Sequence, residues 1–204
     1  MDEKAQVGIY GKKSKKEGTT PAIALINPKY SHNVGAALRA ASCFGAKQVW
    51  WTGNRVRLDD KKRLPREERM KGFRDVELRN YDQIWDQFGP EVVPVAIELR
   101  QNSESLQSFV HPPNALYVFG PEDGSLGGNH LSRCHRFVVI PTKHCVNLAA
   151  AVYIILYDRF QKEFPNATIA DMLNEPRNKM GGMFASDDDF HKDLGLKTEY
   201  EINK

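Results

Sequence analysis

Residues 21–45 read PAIALINPKYSHNVGAALRAASCFG, with an apolar run, a polar turn and an amphipathic segment in immediate succession. The run from Ala22 to Ile26 is continuously apolar, as in a strand buried on both faces of a parallel sheet. From residue 33 to residue 44 apolar residues recur at helical spacing, and Gly45 follows as a C-terminal helix signal. The segment therefore predicts a strand, a polar loop and a helix.

The remainder of the chain repeats this alternation. We expect an α/β fold with a mainly parallel sheet flanked by helices, because the apolar period switches repeatedly between strand and helix. Pro94 favours an edge or irregular position for the strand that contains it. The predicted strands are residues 22–26, 48–52, 92–97, 116–119 and 137–140. The predicted helices or helical turns are residues 33–44, 81–88, 105–109, 129–133 and 147–164.

Composition indicates one globular domain with appended tails. The chain has 204 residues, of which 41% are hydrophobic and 27% are charged. No apolar run approaches the roughly 20 residues that span a bilayer, and the first residues carry no signal-peptide core. We expect a cytoplasmic protein with a flexible basic tail at residues 1–20, a main domain at residues 21–164 and an extension at residues 165–204. Three cysteines without metal-ligand spacing indicate a reduced compartment and no structural metal.

Positive charge is concentrated in one segment rather than in the whole chain. The formal net charge is only +3, too small to indicate a nucleic-acid partner by itself. Residues 55–79, however, contain ten Lys or Arg against six Asp or Glu. Such a segment either follows the phosphates of a nucleic acid or forms an ordinary solvated surface, and the sequence leaves both open.

Polar residues and glycines follow three of the predicted strands. They occupy residues 27–39, 119–124 and 140–148. The carboxyl ends of parallel strands lie at one edge of a sheet, which is where open α/β sheets bind ligands. These three segments therefore predict one shared site.

Two side chains of the first segment allow alternative interpretations. Asn33 lies near the predicted helix start, where its side chain either caps free amides or faces a ligand. Arg39 lies among alanines, and a guanidinium on so apolar a helix needs a partner. That partner is either a phosphate or a carboxylate such as Glu122.

The third segment contains groups that are chemically capable but ambiguous. Cys145 is either a nucleophile or, as we expect, a small buried thiol. His144 in this segment and His32 in the first are either bases near neutral pH or ordinary surface residues.

Together the three segments resemble the motifs of the SPOUT superfamily, in its SpoU/TrmH branch of RNA 2′-O-ribose methyltransferases. The family patterns are Asn-Pro-x-Asn-x-Gly-x-x-x-Arg, Gly-Pro-Glu-x-x-Gly, and Ile-Pro-Met followed by a loop and Ser-Leu-Asn. The matching residues are Asn27-Pro28 with Asn33-Val34-Gly35-Ala36-Ala37-Leu38-Arg39, then Gly120-Pro121-Glu122-Asp123-Gly124, then Ile140-Pro141-Thr142 with Cys145-Val146-Asn147-Leu148.

The match departs from the family pattern at each motif. Extra residues precede Asn33, and Gly124-Ser125-Leu126 replaces the usual order at the end of the second motif. The loop of the third motif is shorter than is typical, and Cys145 stands where the family often has serine. A thiol is the poorer hydrogen-bond donor, so any role of that serine toward an RNA phosphate is in doubt here.

The resemblance implies a deep trefoil knot in the C-terminal part of the domain, a homodimer, and S-adenosylmethionine as the cofactor. It implies methyl transfer to a ribose 2′-hydroxyl of tRNA or rRNA, without a metal. By the same resemblance, the residues near the cofactor are Ala96, Ile97, Glu98, Phe119, Gly120, Gly124, Ile140, Thr142, Cys145, Asn147 and Leu148.

The resemblance also implies roles for the candidate catalytic residues Arg39, Asn33, Glu122, Cys145 and Asn147. Arg39 of one subunit would engage the RNA near the cofactor of the other and help to activate the 2′-hydroxyl. Asn33 would shape the substrate pocket, Glu122 would orient Arg39 or the RNA, and Asn147 would fix the third loop.

Three other functions compete with this interpretation. The first is a non-catalytic RNA-binding protein of the same fold, which Cys145 and the shortened loop favour. The second is methylation at a base atom, which the wider superfamily also performs. The third is a nucleotide-binding oxidoreductase, but no Gly-x-Gly-x-x-Gly turn follows the first predicted strand.

Overall fold

The structure is a computed structural model that describes residues 21–58 and 76–166. The predicted tail at residues 1–20, the middle of the basic segment and the chain beyond residue 166 lie outside the described residues. A 3₁₀ turn spans Ile84–Gln87. The other elements are β1 (Ala22–Leu25), α1 (Ser31–Phe44), β2 (Gln48–Trp51), β3 (Glu77–Asn80), β4 (Val93–Ile97), β5 (Glu104–Ser105), β6 (Ala115–Phe119), α2 (Gly128–Leu131), β7 (Arg136–Val139) and α3 (Leu148–Glu163).

The described strands form one seven-stranded sheet in the order β3-β2-β1-β6-β4-β7-β5. All of its pairs are parallel, which confirms the predicted fold class. Phe119 is in register with both Leu25 and Ile97, so the loops after β1, β4 and β6 leave the sheet side by side. The knot stays a prediction.

Apolar side chains cover both faces of the sheet, which explains the continuous apolar runs. Successive side chains of a strand point to opposite faces. Trp51 and Tyr117 therefore pack with α1 and α3 in one core, whereas Trp50 and Leu116 belong to a second core on the other face. No helix in the described ranges is long and apolar enough to cross a membrane.

Two strands escaped the sequence analysis because their residues are polar. Leu78 is the one apolar residue of β3. The carboxylate of Glu77 in this strand has a partner in β2, since Gln48 Nε2 donates to Glu77 Oε2 at 2.7 Å. β5 is two residues long and pairs with β7, where a helical turn over residues 105–109 was expected. Turn hydrogen bonds do follow it, from the amide of Ser108 to the carbonyl of Ser105.

The position predicted for the proline strand is wrong. β4 lies inside the sheet, between β6 and β7, although it contains Pro94. The amide of Val93 donates to β6 through the carbonyl of Asn114, so the nitrogen of Pro94 faces the β7 side. Pairing with β7 begins only at Val95, and no ladder hydrogen bond is lost.

Candidate active site

A chain of hydrogen bonds joins the three polar loops at the carboxyl edge of the sheet. Asn33 Nδ2 in α1 donates to Glu122 Oε1 after β6 at 2.6 Å. Asn147 Nδ2 donates to Asn33 Oδ1 at 3.1 Å. Asn147 Oδ1 in turn accepts from the amide of Ala149 at 2.8 Å and so caps α3. We call Asn33, Glu122 and Asn147 the Asn–Glu–Asn cluster.

Glu122 is fixed by more than Asn33. Its Oε2 accepts from the amide of Lys29 at 2.6 Å, and its Oε1 accepts from the amide of Tyr30 at 3.4 Å. Partial burial raises the pKa of this carboxyl, but the hydrogen bonds from Asn33 and from both amides outweigh that effect. The pKa of Glu122 therefore lies below its ordinary value, and the group is a carboxylate near neutral pH.

The capping alternative for Asn33 is wrong. α1 begins at Ser31, two residues earlier than expected, and its N-cap is Tyr30, which makes no side-chain cap hydrogen bond. Asn33 is only 2% exposed and sits inside the first turn. The amide nitrogen of Asn33, rather than its amide oxygen, must face Glu122, because an ionised carboxylate accepts hydrogen bonds and donates none.

Arg39 lies on α1 more than one turn beyond Asn33 and is half-buried. Among the described residues, the carboxylate of Glu122 is held by Asn33 and by the amides of Lys29 and Tyr30. These three donors carry no formal charge, and the alternative of an ion pair between Arg39 and Glu122 stays a prediction. Glu122 orients Asn33, and its action on RNA stays a prediction.

The loop after β4 is tied to the loop after β6 by Glu98. Glu98 Oε2 accepts from the amide of Leu126 at 2.9 Å, and Oε1 accepts from the amide of Leu99 at 3.3 Å. Leu126 passes close over Gly120, where a Cβ atom would lie 3.1 Å from the Leu126 nitrogen. A side chain at 120 would therefore be crowded by the Leu126 backbone, whereas Gly124 is exposed and a Cβ atom there would make only an ordinary contact, with Pro121 at 3.6 Å.

Apolar candidates border the same edge. Ala96, Phe119 and Leu148 are buried, and they fix the strand and helix ends in the core. Ile97 at the end of β4 and Ile140 just after β7 are only half-buried and pack against that core. The edge therefore offers partly exposed apolar side chains beside polar loop backbone.

The third loop corrects one expectation. Cys145 is exposed and not a small buried thiol, because its loop runs over the surface between β7 and α3. Cys134 is the buried thiol, and burial raises its pKa to about 11. Thr142 Oγ1 donates to the carbonyl of His144 at 2.7 Å, which tightens the loop around Cys145. His32, like His144, is exposed.

An ion cluster beside Glu122 was not predicted residue by residue. Asp123 accepts from the two terminal guanidinium nitrogens of Arg55, Nη1 and Nη2, at 3.0 and 2.7 Å, and Lys29 Nζ lies 3.3 Å from Asp123 Oδ2. The hydrogen bonds from Arg55 hold the pKa of Asp123 at about 2. Arg55 is the first residue of the basic segment, so the sequence already marked it as a possible RNA-binding residue. Its pairing with Asp123 depends on the fold and could not be predicted from the local sequence.

A parallel sheet whose three polar loops meet at one edge is the arrangement that the SpoU/TrmH motifs predict, whereas the hydrogen bonds of the Asn–Glu–Asn cluster were not predicted. The profile of the SpoU rRNA Methylase family matches residues 21–157, and the chain belongs to that family.

The individual relatives and solved structures described next share less than 30% of their residues with this chain. The tRNA (cytidine-2′-O-)-methyltransferase TrmJ of Methanocaldococcus jannaschii is 27% identical over 165 residues, covering 71% of this chain and 69% of TrmJ. The SpoU methyltransferase AviRb from Streptomyces viridochromogenes, solved with AdoMet, has a TM-score of 0.62 and 19% identity. That match covers 71% of this chain but 61% of AviRb. A structure described as showing 2-OH methylation of C/U34 on tRNA has a TM-score of 0.60 and 22% identity, with coverages of 71% and 97%.

Proposed function

We propose that the protein transfers a methyl group from S-adenosylmethionine to a ribose 2′-hydroxyl of RNA, with tRNA as the favoured substrate. The observation that carries the proposal is the hydrogen-bonded Asn–Glu–Asn cluster, which brings all three motif loops to one edge. The relative TrmJ, which acts on tRNA, supports the choice of substrate.

The residues at the edge fit this cofactor. Half-buried Ile97 and Ile140 offer apolar contact for an adenine ring, and Gly120 leaves the backbone open where a larger side chain would collide with Leu126. S-adenosylmethionine supplies an activated methyl group when bound. Glu98 would hold two of the loops that surround it.

The chain's own contribution to the reaction is placement. Glu122 keeps Asn33 in one orientation, and Asn147 fixes the start of α3 against it. Alignment of reacting groups is a large part of catalysis when the leaving group is already good. Arg39, acting from the partner subunit of a homodimer, would bind the RNA phosphate and favour the ionised form of the 2′-hydroxyl, whose proton would pass to the adjacent phosphate or to solvent.

Methyl-labelled S-adenosylmethionine tests the proposal directly. The protein is incubated with tRNA and with rRNA from cells that lack it, and the label is mapped after alkaline hydrolysis. We expect label in alkali-resistant dinucleotides, because a 2′-O-methyl group blocks cleavage of the adjacent linkage. Label on a base would show base methylation instead. RNA binding without cofactor binding in calorimetry would favour the non-catalytic alternative.

Glu98→Ala is expected to weaken the binding of S-adenosylmethionine about tenfold, because it leaves the buried Leu126 amide without its acceptor and frees the loop. Titration calorimetry of the purified variant measures this. Glu98→Gln is the matched control, since it keeps one acceptor oxygen and should bind nearly as wild type. Equal affinities for the alanine variant and the wild type would contradict the role of Glu98.

A further inference from the structure

Two aromatic rings lie exposed beside the Asn–Glu–Asn cluster. The rings of Tyr30 and His32 are stacked, with centroids 5.3 Å apart and an interplanar angle of 17°. Tyr30 is 45% exposed, and His32 is exposed as well. The backbone that carries them is fixed, because the amide of Tyr30 donates to Glu122 and Asn33 follows directly.

Two cations flank this ring pair. Lys29 Nζ lies 5.4 Å from the centroid of the Tyr30 ring and 3.3 Å from Asp123 Oδ2. Arg55 is bidentate on the same carboxylate, and its side chain is 28% exposed. Asp123 thus holds both cations at one place, while leaving them accessible to solvent.

Exposed aromatic rings beside fixed cations are the chemistry that binds single-stranded RNA. Unpaired bases stack on aromatic side chains, and lysine or arginine neutralises the neighbouring phosphates. A protein partner would instead be expected to need a larger apolar patch than two rings. Tyr30 and His32 also lie at the start of α1, directly before Asn33, and so border the edge at which the three polar loops meet.

We propose that Tyr30 and His32 form a stacking platform for one base of a single-stranded RNA segment, and that Lys29 with Arg55 holds an adjacent phosphate. This inference rests on the proposed function, which it deepens by assigning the substrate an unpaired segment. Sequence is not read by stacking, because every base presents a π-face.

A pair of probes separates the base from the phosphate. Fluorescence anisotropy is measured with a labelled twelve-nucleotide oligocytidylate and with an abasic ribose-phosphate strand of the same length and charge. Tyr30→Ala is expected to weaken oligocytidylate binding by about tenfold and to leave abasic binding unchanged. His32→Ala should give a smaller loss of the same kind. Lys29→Ala and Arg55→Ala should weaken the binding of both probes. Each should also reduce the slope of log affinity against log salt concentration by about one.

Two controls define the result. Tyr30→Phe keeps the ring and should bind as wild type. Tyr157→Ala removes a tyrosine that is 54% exposed on α3 and should change neither probe. Thermal melting of each variant confirms that it is folded. Unchanged oligocytidylate binding by folded Tyr30→Ala and His32→Ala proteins, or a loss equal to that of Tyr157→Ala, would overturn the platform.

The assay also separates this inference from the proposed function. Suppose that the Tyr30→Ala protein methylates RNA and keeps the wild-type oligocytidylate affinity and the wild-type KM. This result would support the proposed function and contradict the stacking platform. Suppose instead that the wild-type protein transfers no methyl group but binds oligocytidylate more tightly than the abasic strand, and that Tyr30→Ala abolishes this difference. This result would support the stacking platform and contradict the proposed function.

Discussion

Replacement of Arg39 by alanine should lower methyl transfer to RNA by at least about a hundredfold while the affinity for S-adenosylmethionine stays nearly constant. The magnitude is that of removing one group which stabilises developing charge. Arg39→Lys keeps the charge but loses the planar fork, so we expect it to recover only part of the rate. Single-turnover methyl transfer and calorimetry measure the two quantities separately, and wild-type turnover in the alanine variant would remove Arg39 from the mechanism.

A mixing experiment tests whether Arg39 acts across a dimer. Arg39→Ala and Gly120→Val proteins should each be inactive, the second because a larger side chain at 120 collides with Leu126. Heterodimers contain one site with both Arg39 and Gly120 intact if the arginine comes from the partner subunit. Recovered activity on mixing would support action in trans, and no recovery in confirmed heterodimers would contradict it.

Asn33→Asp should destabilise the fold by about 3 kcal/mol and abolish most activity, because it buries a second carboxylate against Glu122. The wild-type Nδ2 atom lies 2.6 Å from Glu122 Oε1, so two charges at that distance cannot both persist. Urea unfolding measures the loss. Asn54→Asp, the same change at an exposed position, should cost little. The double variant Asn33→Asp with Glu122→Gln should recover stability, because the repulsion is then absent.

The pH dependence of this variant should have the opposite sign to that of the wild type. In the wild type the pKa of Glu122 is below its ordinary value, so the group contributes stability that is lost as pH falls through the folded-state pKa. In Asn33→Asp one carboxyl of the pair has a raised pKa, so the folded state binds the extra proton. Its deficit should shrink as pH falls from neutral toward about 4.3, the ordinary value for glutamate. A deficit that grows on acidification would contradict the paired-carboxylate interpretation.

The sequence predicted the central strands and the meeting of the loops because both follow from local patterns. Apolar runs such as Ala22 to Ile26 need burial on two faces, and loops after parallel strands share an edge whatever the order of the strands. β3 carries mostly polar residues and is held by pairing with β2, which no local pattern encodes. The edge position predicted from Pro94 was wrong for a similar reason. A proline is tolerated inside this sheet because β7 begins to pair with β4 only at Val95, which the local sequence does not show.

Within the site, residue types were easier to predict than partners. Asn33, Glu122 and Asn147 were identified through the motif resemblance, but the hydrogen bonds between them depend on residues far apart in the chain. Cys145 looked like a buried thiol because cysteine usually is one. The loop's path over the surface decided otherwise.

The separations within the Asn–Glu–Asn cluster bear on how the protein is made. Asn33 and Glu122 are 89 positions apart, and Asn33 and Asn147 are 114 apart. A nascent chain that has not yet released α3 from the ribosome leaves the amide oxygen of Asn33 without its donor. Closing such long loops is slow relative to local helix formation. The completed site is therefore among the last parts to assemble, and a fragment ending before residue 147 is expected to transfer no methyl group to RNA.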